Sequence, residues 1–248
     1  MSSRRTIVLL SAKRTGSTAV FRMFQKHPQV GVCHVRQDIA QWEPNFWNLA
    51  AMAIAGDPEP FERRFADSLP FLEGRAPRDA QEAFALWERV LDELGPIVFD
   101  KSPKYLHSPE GLQLLEQYMD MDADVRLLGL VRDAREAIAS QFLSWGHLVE
   151  NDSLQNRERL WLEHYTRLED LQRRRRAAVF RLEDLSRAPA CYAVMMLHLC
   201  GLEDAPQAWA HFGADRVTRR FAADEPTLRG WTPSPALRRH LQRYGYID

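Results

Sequence analysis

The chain has 248 residues, 45% hydrophobic and 27% charged, which is enough for one α/β domain or two small ones. Its 33 basic and 34 acidic residues leave a net charge of −1, which excludes binding of nucleic acid through a general basic excess. Three cysteines without CxxC spacing and eight scattered histidines indicate neither a disulfide framework nor a metal site. No run approaches the roughly 18 apolar residues of a membrane span, so we expect a cytoplasmic protein.

Short apolar runs alternate with longer helical patterns along the chain, as in a βαβ fold with a parallel sheet. The runs lack polar alternation, which is typical of strands covered on both faces. They predict strands at Thr6–Leu10, Gly31–Val35, Ile97–Phe99, Val125–Val131 and Ala178–Leu182. Helical patterns occupy Ser17–His27, Ser108–Met119, Ala134–Trp145, Ser153–Arg174, Ala190–Cys200 and Pro235–Tyr244. We therefore expect an α/β fold with a five-stranded parallel sheet and helices on both faces.

A long segment, Trp42 to Leu94, separates the second and third predicted strands. A crossover of this length usually carries a helical insertion near the carboxyl edge of the sheet, where α/β sites lie. The segment is rich in aromatic residues: Trp42, Phe46, Trp47, Phe61, Phe65, Phe71, Phe84 and Trp87. We expect a single domain over residues 1–248, with a helical substrate cap at about 42–94. Most of these aromatic rings should form the core of the cap, and the remainder should line an acceptor pocket.

The first predicted strand leads into residues 11–18, SAKRTGST, and then into a helix. This stretch keeps the spacing of the phosphate-binding pattern GxxxxGK[ST], but Ser17 replaces the lysine. A turn of this kind directs backbone N–H groups and a helix N-terminus at one point, which favours an anion. In a triphosphatase the lysine reaches the β- and γ-phosphates. Here the cations are earlier, at Lys13 and Arg14, which favours a different phosphate arrangement.

A second anion site is predicted after the fourth strand, where Arg132 precedes a helix. Asp133 and Glu136 have the spacing of a capping box at the start of that helix. Arg132 would then lie at the carboxyl end of the strand, beside the first loop of a doubly wound sheet. Ser140 follows about two turns along the helix.

Together the two motifs, SxxRTGST after the first strand and RDxREAxxS after the fourth, resemble the sulfotransferase family that uses 3′-phosphoadenosine 5′-phosphosulfate (PAPS). The resemblance implies a P-loop-like fold and transfer of a sulfuryl group, without a metal, to a hydroxyl or amine of a small-molecule, carbohydrate or lipid acceptor. In that family the first motif holds the 5′-phosphosulfate and the Arg–Ser pair holds the 3′-phosphate. By resemblance, these roles are taken by Lys13, Arg14, Thr15, Gly16, Ser17 and Thr18, and by Arg132 and Ser140.

Three further segments are similar to elements of the family. The stretch FDKSPKY, which begins at Phe99, resembles the KSPxY element after the third strand. The stretch FRLEDL, which begins at Phe180, resembles a segment that we interpret as structural. The stretch LRGW near the C-terminus resembles a basic loop that closes over the nucleotide, which assigns Arg229, Gly230 and Trp231 to the nucleotide site.

A general base must lie within hydrogen-bond reach of the acceptor hydroxyl, and the chain offers three candidates at strand ends: Glu43, Asp100 and His34. The stretch EPNFW, which begins at Glu43, resembles the Glu-x-His-aromatic-aromatic element of carbohydrate sulfotransferases, whose glutamate is the base, although asparagine replaces the histidine here. Other members use a histidine near the third strand, where this chain has Asp100 and Lys101. We favour Glu43 as the base, with Lys101 and Arg14 stabilising charge on the bridging oxygen.

Two other functions stay open at this stage. The apolar strand that ends in Asp100 would suit a P-loop kinase in which Asp100 holds Mg²⁺, although the missing P-loop lysine counts against it. The other alternative is a relative that binds a bisphosphate nucleotide or a partner without turnover. The basic residues retained at every cradle position count against it, although a chain that had lost only its base would look the same. The sequence does not identify the acceptor or the oligomeric state, and it leaves open whether Arg36, Arg63 or Arg64 meets an acidic group of the substrate.

Overall fold

The computed structural model describes residues 4–32, 43–66, 69–145, 153–210 and 228–248. Within these ranges, five parallel strands form one sheet in the order β2-β3-β1-β4-β5. The strands are β1 (Arg5–Ser11), β2 (Gly31–Val32), β3 (Ile97–Lys101), β4 (Asp124–Val131) and β5 (Ala177–Arg181). This confirms the predicted α/β fold with a five-stranded parallel sheet. The predicted continuation of the second strand, from residue 33 to 35, lies outside the described residues.

The helices that join and cover the strands are α1 (Ser17–Gln25), α2 (Phe46–Ile54), α3 (Glu59–Phe65), α4 (Ala80–Leu94), α5 (Pro109–Met119), α6 (Ala134–Trp145), α7 (Leu154–Arg173), α8 (Leu182–Arg187), α9 (Pro189–Leu199), α10 (Pro206–Trp209) and α11 (Pro235–Arg243). Short 3₁₀ turns occupy Pro70–Leu72 and Tyr105–His107. The helices predicted from the sequence end within about two residues of those observed. Serine N-caps mark several starts: Ser108 accepts from Gly111 N–H and Ser153 from Asn156 N–H.

The strand order brings three loops together at one edge of the sheet. Strand β1 lies between β3 and β4, with Leu9 beside Lys101 and Ser11 beside Leu130. Because all strands are parallel, the loops that leave β1, β3 and β4 emerge side by side at their carboxyl ends. This places the SAKRTGST turn between the chain that follows Lys101 and the chain that follows Val131.

Each face of the sheet has its own hydrophobic core, as the unbroken apolar strands predicted. Along β1, Val8 and Leu10 pack on one face, whereas Ile7 and Leu9 pack on the other. The first face is covered by residues from α2 to α7 and from α11. The second face is covered by α1, α8, α9 and α10. A strand buried on both faces cannot shift its register without exposing one apolar set, so the sheet edge is a rigid platform for the site.

The aromatic residues that the structure describes in the 42–94 segment, from Phe46 to Trp87, form part of the first core. The side chains of Phe46, Trp47, Phe61 and Trp87 are fully buried, and the rings of Trp47 and Trp87 lie 5.2 Å apart. Trp87 Nε1 donates to Thr6 Oγ1 at 2.8 Å, which ties α4 to the start of β1. These rings therefore belong to the core, as expected for most of the segment's aromatic residues. The role of the segment as a substrate cap stays a prediction.

Candidate active site

The turn from β1 into α1 is shaped by backbone conformations that few side chains tolerate. Arg14 has φ 66° and Gly16 has φ 84°. A Cβ atom on Gly16 would lie 2.6 Å from Leu182 Cδ1, so both the conformation and the space require glycine. Thr15 Oγ1 donates to the Ala12 carbonyl at 2.7 Å, which closes the turn from inside. The glycine that the motif predicted is thus required by packing.

The N-terminus of α1 opens onto this turn. Gly16 is the N-cap residue and has no side chain with which to cap the helix. Its carbonyl accepts from Ala19 N–H at 2.9 Å, while the N–H groups of Ser17 and Thr18 belong to the orphan donors of the first turn. These amides and the positive end of the helix dipole together fit a phosphate or sulfate group.

Tyr165 of α7 fastens the turn to the neighbouring strand. Its hydroxyl accepts from Ala12 N–H at 3.3 Å and donates to the Leu130 carbonyl at 2.9 Å. The side chain is fully buried, and this burial raises the pKa of the phenol far above its usual value. Tyr165 is therefore a neutral bridge that sets the distance between the two loops. Nothing in the sequence distinguished it from the other aromatic residues of a helical pattern.

The two predicted anion sites form one connected network. Arg14 Nε donates to Ser140 Oγ at 3.0 Å, and Arg132 Nη1 donates to the Arg14 carbonyl at 3.0 Å. Arg132 also pairs with Glu136, with 2.9 Å between Nη2 and Oε2. Partial burial and the nearby charge of Arg132 lower the pKa of Arg14. The guanidinium groups are thus held close together beside the α1 N-terminus, where a polyanionic ligand would relieve their repulsion.

The capping box predicted for α6 is wrong in its partners. Glu136 accepts from Arg132 instead of from the Asp133 amide. The Asp133 N–H donates to Glu183 Oε1 at 3.1 Å, and Asp133 Oδ1 accepts from Arg135 N–H at 2.9 Å. The charged guanidinium of Arg132 is a stronger partner for Glu136 than a backbone amide, and Glu183 supplies the acceptor from another strand end.

Residues near the C-terminus stabilise the turn between β4 and α6. Tyr246 Oη donates to Glu183 Oε2 at 2.8 Å, and Arg135 Nη2 donates to the Tyr246 carbonyl at 3.2 Å. The guanidinium of Arg181 lies 4.6 Å from the centre of the Tyr246 ring. Glu183, interpreted as structural from the sequence, therefore links the Asp133 amide to the end of the chain. Tyr246 carried no sequence signal because its partners are remote in the chain.

Glu43 pairs with Lys101, the last residue of β3, on the side of the SAKRTGST turn opposite to Arg132. Lys101 Nζ lies 3.0 Å from Glu43 Oε1, and the lysine side chain is only 3% exposed, against 28% for the glutamate. Burial lowers the pKa of Lys13, as do Lys104 and Arg157, whereas the Glu43 carboxylate opposes that shift. The predicted base and the predicted charge stabiliser are thus in direct contact, close to the first loop. The third predicted base, His34, lies outside the described residues.

Asp100 is enclosed in the core below this edge. Its side chain is fully buried, and Tyr105 Oη donates to Oδ2 at 2.5 Å. Within the described residues, Oδ1 has no hydrogen-bond partner. Burial raises the pKa of Asp100 to about 7, against the opposing effects of Tyr105 and Lys101. No group of three or more His, Cys, Asp or Glu residues in the described ranges could hold a metal ion there.

The C-terminal LRGW turn is anchored to α7 by a buried carboxylate. Glu158 is 6% exposed, and its two oxygens accept from Trp231 Nε1 at 3.0 Å and from Ser234 N–H at 2.9 Å. Gly230 has φ 75°, so the turn uses a conformation that suits glycine. Arg229 is exposed on this turn. The contact of Arg229, Gly230 and Trp231 with a nucleotide stays a prediction.

These features define a P-loop-like α/β protein with an anion cradle at the carboxyl edge of its sheet. The family model described as "Sulfotransferase family" matches residues 6–206, so the chain belongs to the sulfotransferase family. No curated protein sequence matches the chain. None of the helices in the described ranges is long and apolar enough to cross a membrane.

Solved sulfotransferase structures share the fold. The sulfotransferase domain from the curacin biosynthetic pathway is 14% identical, covers 100% of this chain and 99% of its own, and gives a TM-score of 0.64. Sulfotransferase STF9 from Mycobacterium avium is 16% identical, with coverage of 100% and 78% and a TM-score of 0.57. A mouse sulfotransferase complexed with PAP is 10% identical, with coverage of 96% and 82% and a TM-score of 0.53. At these identities the likeness shows the fold alone.

Proposed function

We propose that this sulfotransferase uses PAPS as its donor and transfers the sulfuryl group to a hydroxyl or amine of a small-molecule, carbohydrate or lipid acceptor. The observation that carries the proposal is the network of Arg14, Ser140 and Arg132 beside the N-terminus of α1. It joins the loop that the family resemblance assigns to the 5′-phosphosulfate with the pair that it assigns to the 3′-phosphate. The mouse sulfotransferase of the same fold, complexed with PAP, supports the choice of donor.

The donor side would work through positioning and charge. The first-turn amides of α1 and Arg14 would hold the 5′ end, and Arg132 with Ser140 would hold the 3′-phosphate. When bound, PAPS supplies an activated sulfuryl group on a phosphate leaving group. Arg14 carries its charge where the negative charge of that leaving group would increase, which favours the transition state over the ground state.

The acceptor side would work through Glu43 and Lys101. Glu43 is partly exposed and lies close to the first loop, so it can take the proton of an acceptor hydroxyl, whereas Asp100 is enclosed in the core. Lys101 pairs with the Glu43 carboxylate and so orients it, and it adds positive charge at the end of β3. The start of the 42–94 segment, which contributes Glu43, would form one wall of the acceptor pocket.

Ligand-dependent thermal stability tests the donor assignment. A ligand that binds only the folded protein stabilises it by about 2.7 kcal/mol at a hundredfold excess over Kd, which raises the Tm by several degrees. We expect adenosine 3′,5′-bisphosphate to do this without metal and ATP with Mg²⁺ to have little effect, because Ser17 replaces the lysine that would meet a γ-phosphate. A larger, Mg²⁺-dependent shift with ATP would favour a kinase, and no shift with either ligand would remove the donor site.

A further inference from the structure

A second group of basic side chains lies on the Lys13 side of the first loop. Its members come from the turn after β1, the chain after β3 and helix α7. Their charges affect the pKa values of Lys13, His107 and His164. We call them the Lys13 cluster: Lys13, Lys104, His107, Arg157 and His164. They come from three separate parts of the sequence, residue 13, residues 104–107 and residues 157–164, and the fold brings these parts together.

Two adjacent residues of α6 make different contacts, one with the donor side and the other with this cluster. Ser140 accepts from Arg14, as described above, whereas its neighbour Gln141 contacts the residue before Arg14. Gln141 Nε2 donates to the Lys13 carbonyl at 3.4 Å, and Arg157 Nη1 donates to Gln141 Oε1 at 3.1 Å. Lys13 and Arg14 therefore have different neighbours, although they are consecutive in the chain. The family resemblance assigned both residues to the 5′-phosphosulfate, and these contacts favour that role for Arg14 alone.

The remaining members of the cluster are held by their backbones and rings. Asn48 Nδ2 donates to the Lys104 carbonyl at 2.7 Å, which fixes the backbone of Lys104, and the Lys104 side chain is exposed. The rings of His107 and His164 lie 3.9 Å apart, and Arg167 Nη1 donates to the His107 carbonyl at 3.2 Å. The cluster is thus a built arrangement in which each position is fixed by a packed or hydrogen-bonded neighbour.

Positive charge accumulates around the two imidazoles. Partial burial and the charges of Lys13, Lys104, Arg167 and Arg157 lower the pKa of His107 to about 4. Burial, together with His107, Arg167 and Lys13, lowers the pKa of His164 to about 3. Both rings are therefore neutral at physiological pH, in a positive potential that a negatively charged ligand would relieve.

We propose that the Lys13 cluster binds an anionic group, a carboxylate or a phosphate, carried by the acceptor substrate. The inference rests on the proposed sulfuryl transfer and names the chemical class of its acceptor. Glu43 connects the two sites, because its carboxylate pairs with Lys101 and also acts on the charge of Lys13. The donor phosphates already have Arg14, Arg132 and Ser140 on the opposite side of the turn. An acceptor anchored by its anionic group would present its hydroxyl to Glu43.

Matched acceptors test this in a PAPS-dependent assay. We expect kcat/KM to be about tenfold or more higher for 4-hydroxyphenylacetate than for its neutral amide, or for glycerol 3-phosphate than for glycerol, as for a charged hydrogen bond. The pair that shows the preference identifies carboxylate or phosphate. Lys104→Gln should reduce the ratio towards one, whereas the control Lys26→Gln, on exposed Lys26 after α1, should leave it unchanged. Equal rates within both pairs would overturn the proposal.

A binding experiment separates this inference from the proposed function. The anionic acceptors are titrated into protein saturated with adenosine 3′,5′-bisphosphate, while NMR follows the ring resonances of His107 and His164. Binding should raise the pKa of these rings because an anion stabilises the imidazolium form; the neutral partners should have no such effect. Anion binding without any sulfuryl transfer would retain the cluster and remove the proposed reaction. No effect on the rings, or displacement of the nucleotide by the anion, would overturn the inference.

Discussion

The two sides of the SAKRTGST turn differ in how the chain builds them. The Arg14 side consists of two short motifs, each following a strand, and neighbouring strands bring the motifs together. The Lys13 side is assembled from residue 43, the end of β3, the 3₁₀ turn after it and α7. A site made of contiguous motifs keeps its residues when loops change, whereas a site made of separate segments changes with each of them. This difference favours binding of a donor common to many relatives on the Arg14 side and of a particular acceptor on the Lys13 side.

The largest expected effect is at the Lys13 side. Glu43→Gln keeps the size of the side chain and removes the carboxylate, so it should lower kcat by about 10² to 10⁴-fold as for loss of a general base. The Kd of adenosine 3′,5′-bisphosphate, measured by calorimetry, should stay near that of the wild type because Glu43 is not on the Arg14 side. An active Glu43→Gln enzyme, together with an inactive Asp100→Asn or His34→Ala enzyme, would transfer the role of base.

Asp100 is buried in the core beneath both sides of the turn, and we expect its ionisation to change the free energy of unfolding. Its pKa is about 7 in the folded protein, against 3.8 as the usual value, so the folded state binds the proton more tightly than the unfolded state. Stability from this group is complete below pH 4 and falls as pH rises to 7, by on the order of 4 kcal/mol in total. Well above pH 7, Asp100 is ionised in both the folded and the unfolded state, so its contribution to the free energy of unfolding no longer changes with pH.

Replacement of the carboxyl group by an amide tests that pH dependence. Asp100→Asn keeps an acceptor for Tyr105 and cannot ionise, so urea unfolding at pH 8 should show a higher free energy of unfolding than for the wild type. The fall between pH 4 and pH 7 should be smaller in the variant. Identical pH profiles for the two proteins would contradict a raised pKa at Asp100.

The smallest expected effect concerns the hydrogen bond between Tyr246 and Glu183, which stabilises the Arg14 side. Tyr246→Phe removes the hydrogen bond to Glu183, and through the Asp133 amide it should loosen the Arg132 turn. We expect nucleotide affinity to fall by about 0.5–1.5 kcal/mol, the net value of one hydrogen bond. Tyr244→Phe is the matched control because the Tyr244 hydroxyl has no hydrogen-bond partner within the described residues. Equal Kd values for the two variants would show that the Tyr246–Glu183 hydrogen bond does not affect nucleotide binding.

The sequence predicted the sheet, and it placed the motifs of Arg14 and Arg132 at one edge of that sheet, for a physical reason. Apolar runs identify buried parallel strands, and a motif that follows a strand directly must lie at the carboxyl edge. The family resemblance assigned Ser140 to the same site, and helix geometry placed it about two turns along α6. In each case the relevant contacts lie within one strand–loop–helix unit, or between units on neighbouring strands.

The remaining contacts depend on tertiary packing that local patterns do not encode. Glu136 pairs with Arg132 because Glu183 reaches the Asp133 amide from another strand end, which overturned the capping box. Glu158 resembles any polar residue of a helical pattern, yet it is buried and holds the LRGW turn. The Lys13 cluster was missed for the same reason, since its histidines and basic residues carry no shared spacing.

Calorimetry with two nucleotides tests most directly whether Arg132 and Ser140 bind a 3′-phosphate while the first loop binds the 5′ end. Wild-type protein should bind adenosine 3′,5′-bisphosphate more tightly than adenosine 5′-phosphate. Arg132→Ala should remove about 1.5–3 kcal/mol of that difference, the value of a charged hydrogen bond. Arg187→Ala, which alters an exposed arginine of α8, should preserve the difference. Equal affinities of the wild type for the two nucleotides, or an unchanged difference in Arg132→Ala, would contradict the account.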